Sequence, residues 1–475
     1  MAETSSGELE HETAGTGGLR RRLFALAWPM IGLNVLQVLA LAVDTAMCGR
    51  LDHAEQALSA LGFATQVIFL LMVAMIGLTT GNVALVSRAF GARDMPRVNH
   101  IFEQSTQLTV CLALVIATVG NLCAPWLLEA LGAQGATLEL GLSYLRPLLT
   151  FSVVYYLSIL YGATLRGVGN TRLAFESALI QAGLNVFLNY GLILGNWGLP
   201  ALGVEGAAYG TVISQALGVG VLLLRLHRGV LPGIRMPIRL RRFDTGVLTD
   251  VWRIGWPAAL DMVILNAGFV VVVGLVGWYE EVAVAAHAVG LRIQTLAFVP
   301  GLAVSRAAGA MIGNALGAGD AREARRLAVL SMQVCGGLMS TLGLALLIFA
   351  EPILVIFDIE SGTALADYTV DWVTILGFGM PVTGVWIALA GMLHGAGHTM
   401  ASLRINGFAT LVIQIPLCWF LGYPMGLGPF GVWLAFPLSQ GVKALVGAVV
   451  YRRGDWATVG AKPAAFEGDA RTDAS

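Results

Sequence analysis

Charge is scarce in this sequence. Only 12% of its 475 residues are Asp, Glu, Lys or Arg, and the formal net charge is −1. Soluble domains carry about 25% charged residues, so the chain is not a set of soluble domains, and its balance suggests no nucleic-acid partner. Cysteine is sparse too. Cys48, Cys111, Cys123, Cys335 and Cys418 stand singly in apolar runs, without CxxC or metal-ligand spacing, and read as inert buried thiols. There is no Walker sequence, no HExxH and no GxSxG, so ATP hydrolysis and embedded enzymes of those types are excluded. No cofactor is implied. Residues 1–19 are acidic and rich in Gly, Ser and Thr, without the order of a cleaved signal peptide.

What the chain does have is apolar length. Twelve segments recur, at about 23–49, 58–87, 101–122, 143–164, 173–195, 205–226, 248–275, 283–313, 327–350, 369–391, 401–421 and 429–450. About 20 apolar residues suffice to cross a bilayer, and lipid admits only helices or closed barrels, so runs this uniform are helices. The 59 glycines suit close helix packing. Basic residues fall in alternate loops: Arg20–Arg22, Arg88, Arg93 and Arg97, Arg166 and Arg172, the stretch from Arg225 to Arg242, Arg322, Arg325 and Arg326, Arg404, and Arg452–Arg453. The other loops carry Asp52, Glu55, Glu129, Glu139, Glu280, Glu281, Glu351, Asp358 and Glu360. The positive-inside rule puts both termini in the cytoplasm.

The two halves repeat. Ala27-Trp28-Pro29 returns as Gly255-Trp256-Pro257, Gly91-Ala92-Arg93-Asp94 as Gly317-Ala318-Gly319-Asp320, and Arg166-Gly167-Val168-Gly169-Asn170-Thr171 as His394-Gly395-Ala396-Gly397-His398-Thr399. Ser214-Gln215 also returns as Ser439-Gln440, so the offsets cluster at 225–228, which chance does not produce. The organisation expected is a disordered cytoplasmic tail (1–19), an N-lobe of six helices (20–228), a basic cytoplasmic linker (229–246), a C-lobe of six helices (247–453) and a C-tail (454–475). The fold class is all-α integral membrane, two six-helix lobes related by a pseudo-two-fold axis along the membrane normal. Two like lobes around a cleft are suited to alternating access, driven here by an ion gradient. A passive channel is disfavoured, since nothing resembles a selectivity filter.

Asp44 stands in the first apolar segment, where a carboxylate costs about 2.5–3.5 kcal/mol on insertion scales. Asn34 and Gln37 share its helical face, as possible substrate contacts or interhelical packing polar groups. At 1.5 Å per residue, Asp44 lies roughly 30 Å from the inner end, and Asn185, Asn189 and Thr211 count to a similar depth. Carboxylate, amide and hydroxyl oxygens suit a small hard cation such as Na⁺ at Asp44 and Asn185, while a buried carboxylate can instead take up a proton. Asp44 has no acidic twin, since the repeat carries it onto Val272. Asp261, one turn beyond Pro257, is either a second protonation site or a cap for carbonyls freed by the proline. His287, Arg292 and Asp371 read as a solvated interfacial network, and Lys443 and Arg306 as snorkelling near inner ends. Glu205 is expected in a turn. Trp28, Phe63, Phe69, Tyr155, Tyr156 and Tyr161 are candidates to line a cavity, with core packing the commoner explanation.

These residues resemble a known family. Ala27-Trp-Pro with Val43-Asp44-Thr45-Ala46-Met47-Cys48-Gly49-Arg50-Leu51 is similar to the first helix of multidrug and toxic compound extrusion (MATE) transporters. So are Leu165–Arg172, Asn185-Val-Phe-Leu-Asn189-Tyr, Leu202–Ala208, Ala286–Arg292 and Gly313–Asp320. The likeness covers roughly residues 20–453. It implies a V-shaped, monomeric antiporter that exports cationic or amphipathic compounds in exchange for H⁺ or Na⁺. It makes Asp44 the coupling acid and matches Asn185 to a helix 5 asparagine. Asn189 stands where some members have a second carboxylate. Leu265 and Thr383 fall where norfloxacin-exporter types carry acids, so the chain resembles the DNA-damage-inducible efflux branch more closely. The rival reading is a flippase for a lipid-linked saccharide precursor, which is expected to line its cleft with more basic residues.

Overall fold

The computed structural model describes residues 16–51, 53–237 and 242–458. Asp52, most of both tails and part of the basic linker therefore lie outside the described residues. Among the described residues eleven helices and one bent pair, α4, are long and apolar enough to cross a membrane: α1 Thr16–Cys48, α2 Ala54–Gly91, α3 Met95–Ala130, α4 Gly135–Gly167, α5 Thr171–Leu194, α6 Val204–His227, α7 Thr245–Gly277, α8 Glu281–Gly317, α9 Ala321–Ile348, α10 Ala364–Gly395, α11 Thr399–Gly422 and α12 Gly428–Arg453. A short helix, Ala350–Ile356, follows α9.

Three differences from the sequence reading stand out. First, α1 begins at Thr16, inside the expected tail. Second, α4 is two helices that meet at Phe151 (φ −99°, ψ 20°) with a 58° bend. Ser152 anchors the second half by donating to Ala113 O at 3.1 Å. Third, α3 and α11 each pass through a wide π segment, Ile116–Gly120 and Phe408–Gln414. Prolines follow both, Pro125 and Pro416, and a proline lacks the N–H a regular turn would use.

The repeated loops are helix stops and starts. In Gly91-Ala-Arg-Asp94 and Gly317-Ala-Gly-Asp320 the third residue takes a left-handed backbone, Arg93 at φ 58° and Gly319 at φ 77°. The fourth then caps the next helix. Asp94 accepts from Arg97 N at 3.0 Å and Asp320 from Glu323 N at 2.8 Å. Asn170 caps α5 in the same way, accepting from Leu173 N at 3.0 Å.

The lobes exchange their first helices at one end. Leu19, Leu23, Ala27 and Met30 of α1 are buried among Ala303, Ala307, Met311 and Ile312 of α8, in the C-lobe core. Reciprocally, Val251 of α7 belongs to the N-lobe core. Helices in lipid gain little hydrophobic drive from meeting each other, so such contacts rest on close van der Waals packing. Glycines permit it. A Cβ on Gly255 would lie 2.7 Å from Gly77 O, and one on Gly77 would lie 2.8 Å from Gly255 O. Gly91 abuts Asn314 O and Gly317 abuts Arg88 O, as a symmetric pair across the lobe junction. Arg88 donates its guanidinium to Ala396 O in the opposite lobe. Asn314 mirrors it: with its amide nitrogen turned toward the neighbouring carbonyls, it donates to Gly167 O (3.1 Å) and Ser87 O (2.6 Å). We call this junction the inner end. Trp126, Trp197, Trp278 and Trp419 are exposed near the opposite end and Trp252 near the inner end, where amphipathic rings sit at membrane interfaces.

Candidate functional site

α1 leaves the C-lobe core after Met30 and runs along α5, which brings Asp44 against Asn189. Asp44 is 7% exposed, and Asn189 Nδ2 donates to its Oδ1 at 2.5 Å. One turn earlier on α5, Asn185 Nδ2 donates to Thr211 Oγ1 of α6 at 3.2 Å. Asn189 fits because Gly210 faces it, and any Cβ there would fall onto Asn189 Oδ1. The four residues matched by depth counting are thus two hydrogen-bonded pairs on three adjacent helices. Both side-chain carbonyls, Asn185 Oδ1 and Asn189 Oδ1, are buried without a partner among the described residues. Unfilled acceptors beside a carboxylate are costly unless something cationic or protic visits them.

Tyr144 of α4 is buried within electrostatic reach of Asp44. The sequence reading passed over it, because a tyrosine in an apolar helix carries no signal of its own. Asn34 is half-buried and Gln37 exposed along α1. Tyr155 and Tyr156 lie in the second half of α4. Tyr156 is 3% exposed and donates to Leu71 O at 3.2 Å, which makes it packed core and not cavity lining. Half-buried Tyr155 directs its hydroxyl at Met72 Sδ, 3.0 Å away.

Other expectations change with the packing. Asp261 is buried and accepts from Asn406 Nδ2 (2.6 Å) and Ser402 Oγ (3.0 Å) of α11. Its oxygens are spent as acceptors, so it does not cap proline-freed carbonyls. Lys443 is 1% exposed and does not snorkel, whereas Arg306 is exposed. His287 belongs to no solvated network. It is buried, accepts from Trp433 Nε1 at 3.1 Å and packs against Trp372. Glu205 lies in the first turn of α6, not in a loop. Thr383 is buried and donates to Gly379 O at 2.9 Å.

No group of His, Cys, Asp and Glu among the described residues has metal-site geometry. At the N-lobe site the oxygens of Asp44, Asn185, Asn189 and Thr211 form a cluster with one negative charge, able to hold a proton on the carboxylate or to surround a small monovalent cation.

Comparison with known proteins gives consistent results. The MatE family profile matches this chain twice, at residues 29–191 and 257–420, one match to each lobe. A probable multidrug resistance protein NorM of Thermotoga maritima is 25% identical over 450 residues, covering 92% of this chain and 93% of the relative. One from Rhodopseudomonas palustris is 29% identical over 430 residues, 90% of each chain. A crystal structure of MATE in the bent conformation superimposes with a TM-score of 0.85 at 22% identity, covering 95% of this chain and all of the other.

Proposed function

The chain belongs to the MatE family, and on that premise we propose that it is a secondary antiporter exporting cationic or amphipathic compounds in exchange for protons. The observation that carries this reading is Asp44, a buried carboxylate hydrogen-bonded to Asn189 beside two unfilled amide oxygens. Because residue 189 is an amide, the cluster holds a single negative charge. One charge with neutral oxygens favours a proton, which forms a covalent O–H, over a sodium ion that would need its full set of ligands.

Arg88, Arg93, Arg97, Arg166, Arg322, Arg325 and Arg326 cluster near the loops at the inner end. The positive-inside rule makes that end cytoplasmic, so a cleft between lobes joined there would open outward. In this reading the ionised Asp44 prevails while a cationic compound is held. Protonation from outside then removes the charge, alters the pairing of α1 with α5 and releases the compound. A charge change on one side chain is enough to bias two packings separated by a few kcal/mol. Pro29 supplies α1 with a weakened hydrogen-bond ladder at which to bend. Leu265 and Thr383, where norfloxacin-exporter types carry acids, support coupling through the N-lobe and the DNA-damage-inducible branch.

Ethidium transport in proteoliposomes tests this. A pH gradient alone should drive uptake and a sodium gradient alone should not, and Asp44→Asn should insert normally yet transport nothing. Full transport by that variant would sink the assignment.

A further inference from the structure

α7 and α11 repeat α1 and α5. The repeat spacing carries Asp44 onto Val272 and Asn189 onto Leu417, so the C-lobe has no polar pair at that depth. The same two helices nonetheless hold a carboxylate and an asparagine, each eleven residues earlier. Asn406 donates to Asp261, and this pair, like Asn189 with Asp44, is separated by 145 residues. Eleven residues are about three turns, roughly 16 Å of helix. The C-lobe pair therefore lies that much nearer the inner end, with Asp261 six residues beyond Gly255 along α7.

Around Asp261 the structure gathers two titratable groups. Lys443 of α12 is buried within electrostatic reach of it. His394, at the end of α10, sets Nε2 3.7 Å from Asp261 Oδ2 with no closer partner among the described residues, while 35% of its side chain is exposed. From α11, Ser402 and Asn406 donate to Asp261, and glycines of α2 abut α7. Asn406 is 8% exposed and its Oδ1 has no partner among the described residues. An isolated ammonium buried in a membrane protein is costly, and Asp261 is a carboxylate within its electrostatic reach.

We propose that Asp261 is a second cation site, at which the tethered Lys443 ammonium and an organic monocation from the inner side compete. When the monocation pairs with Asp261, Lys443 loses its counter-charge. Its N–H bond breaks, the electron pair stays on Nζ, and the proton passes to the inner water. One positive charge enters the site and one leaves. This rests on the cation-export reading above and adds to it a proton released in the lobe opposite Asp44.

The test is tetraphenylphosphonium binding to the full-length protein in nanodiscs, measured by calorimetry between about pH 6 and pH 9. By linkage, each proton released on binding steepens the affinity by about tenfold per pH unit. Lys443→Met should lose one such unit of slope relative to wild type. Lys443→Arg keeps a charge that cannot dissociate, and should bind at least tenfold more weakly. The double variant Asp261→Asn with Lys443→Met leaves neither charge uncompensated, and should fold and lose the same unit. Equal slopes in wild type and Lys443→Met, with export intact, would overturn the site but not the transporter. A wild-type protein that neither binds nor transports the cation would remove the export reading and this inference together.

Discussion

Asp44 gains its meaning from Asn189, and Asn189 from the absence of a side chain at position 210. Gly210→Ala would drive a methyl group into Asn189 Oδ1. The amide must turn away, and Asp44 then loses the donor that Asn189 supplies. We expect at least a tenfold fall in the initial rate of ethidium export, with insertion preserved. Undiminished export would show that the Asp44–Asn189 bond is dispensable. The left-handed turn before α9 gives a stability prediction at the same scale. Gly319 adopts φ 77°, where a Cβ costs about 1–2 kcal/mol, so Gly319→Ala should lower the thermal midpoint while leaving transport rates at low temperature unchanged.

Among the elements, α7 shows how a capping residue can also join two lobes. Asp244 accepts from the N–H groups of Gly246 and Val247 at the start of α7, and binds His100 Nε2 of α3 at 2.8 Å. The His100 bond, with help from the two backbone donors, holds the Asp244 carboxyl below its ordinary range. A depressed carboxyl stabilises the folded state above its unfolded pKa, and that contribution fades as pH falls through the folded value. Asp244→Ala should therefore cost about 1 kcal/mol as a lost cap at neutral pH. The difference in thermal midpoint between wild type and variant should close below about pH 4. A gap that persists in acid would assign the effect to something other than the carboxylate. The linker shares this anchorage: Asn99 donates to Gly233 O and accepts from Arg235 N, and Gln104 bonds Arg242 O and Asp244 N.

For the molecule as a whole, the proposed alternating access would require the inner junction to open. Gly91 and Gly317 sit on backbone of the opposite lobe, and Arg88 and Asn314 reach across it to glycine-loop carbonyls. Gly317→Val cannot be accommodated without separating α8 from α2. In a chain freed of its own five cysteines, a cysteine at Ala396 should become reactive toward an impermeant reagent from the inner side in that variant and stay protected otherwise. Equal protection in both would mean that the junction closes by other contacts.

The sequence by itself determined the twelve apolar helices, the two-fold repeat, the turn chemistry and the singular Asp44, because hydropathy, capping and glycine geometry act over a few residues. The pairing of Asp44 with Asn189 was approachable, since depth along a helix can be counted. Only tertiary structure decided the exchange of α1 and α7 between lobes, the 58° bend in α4 and the burial of Lys443. Each depends on which chain-distant surfaces meet. Lys443 shows the reason most plainly. Near a helix end a lysine reads as snorkelling, and nothing local reveals that Asp261, 182 positions away, offers it a counter-charge. A signal was present, the shared 145-residue separation of the two carboxylate–asparagine pairs, but it acquires significance only once both pairs are seen to touch.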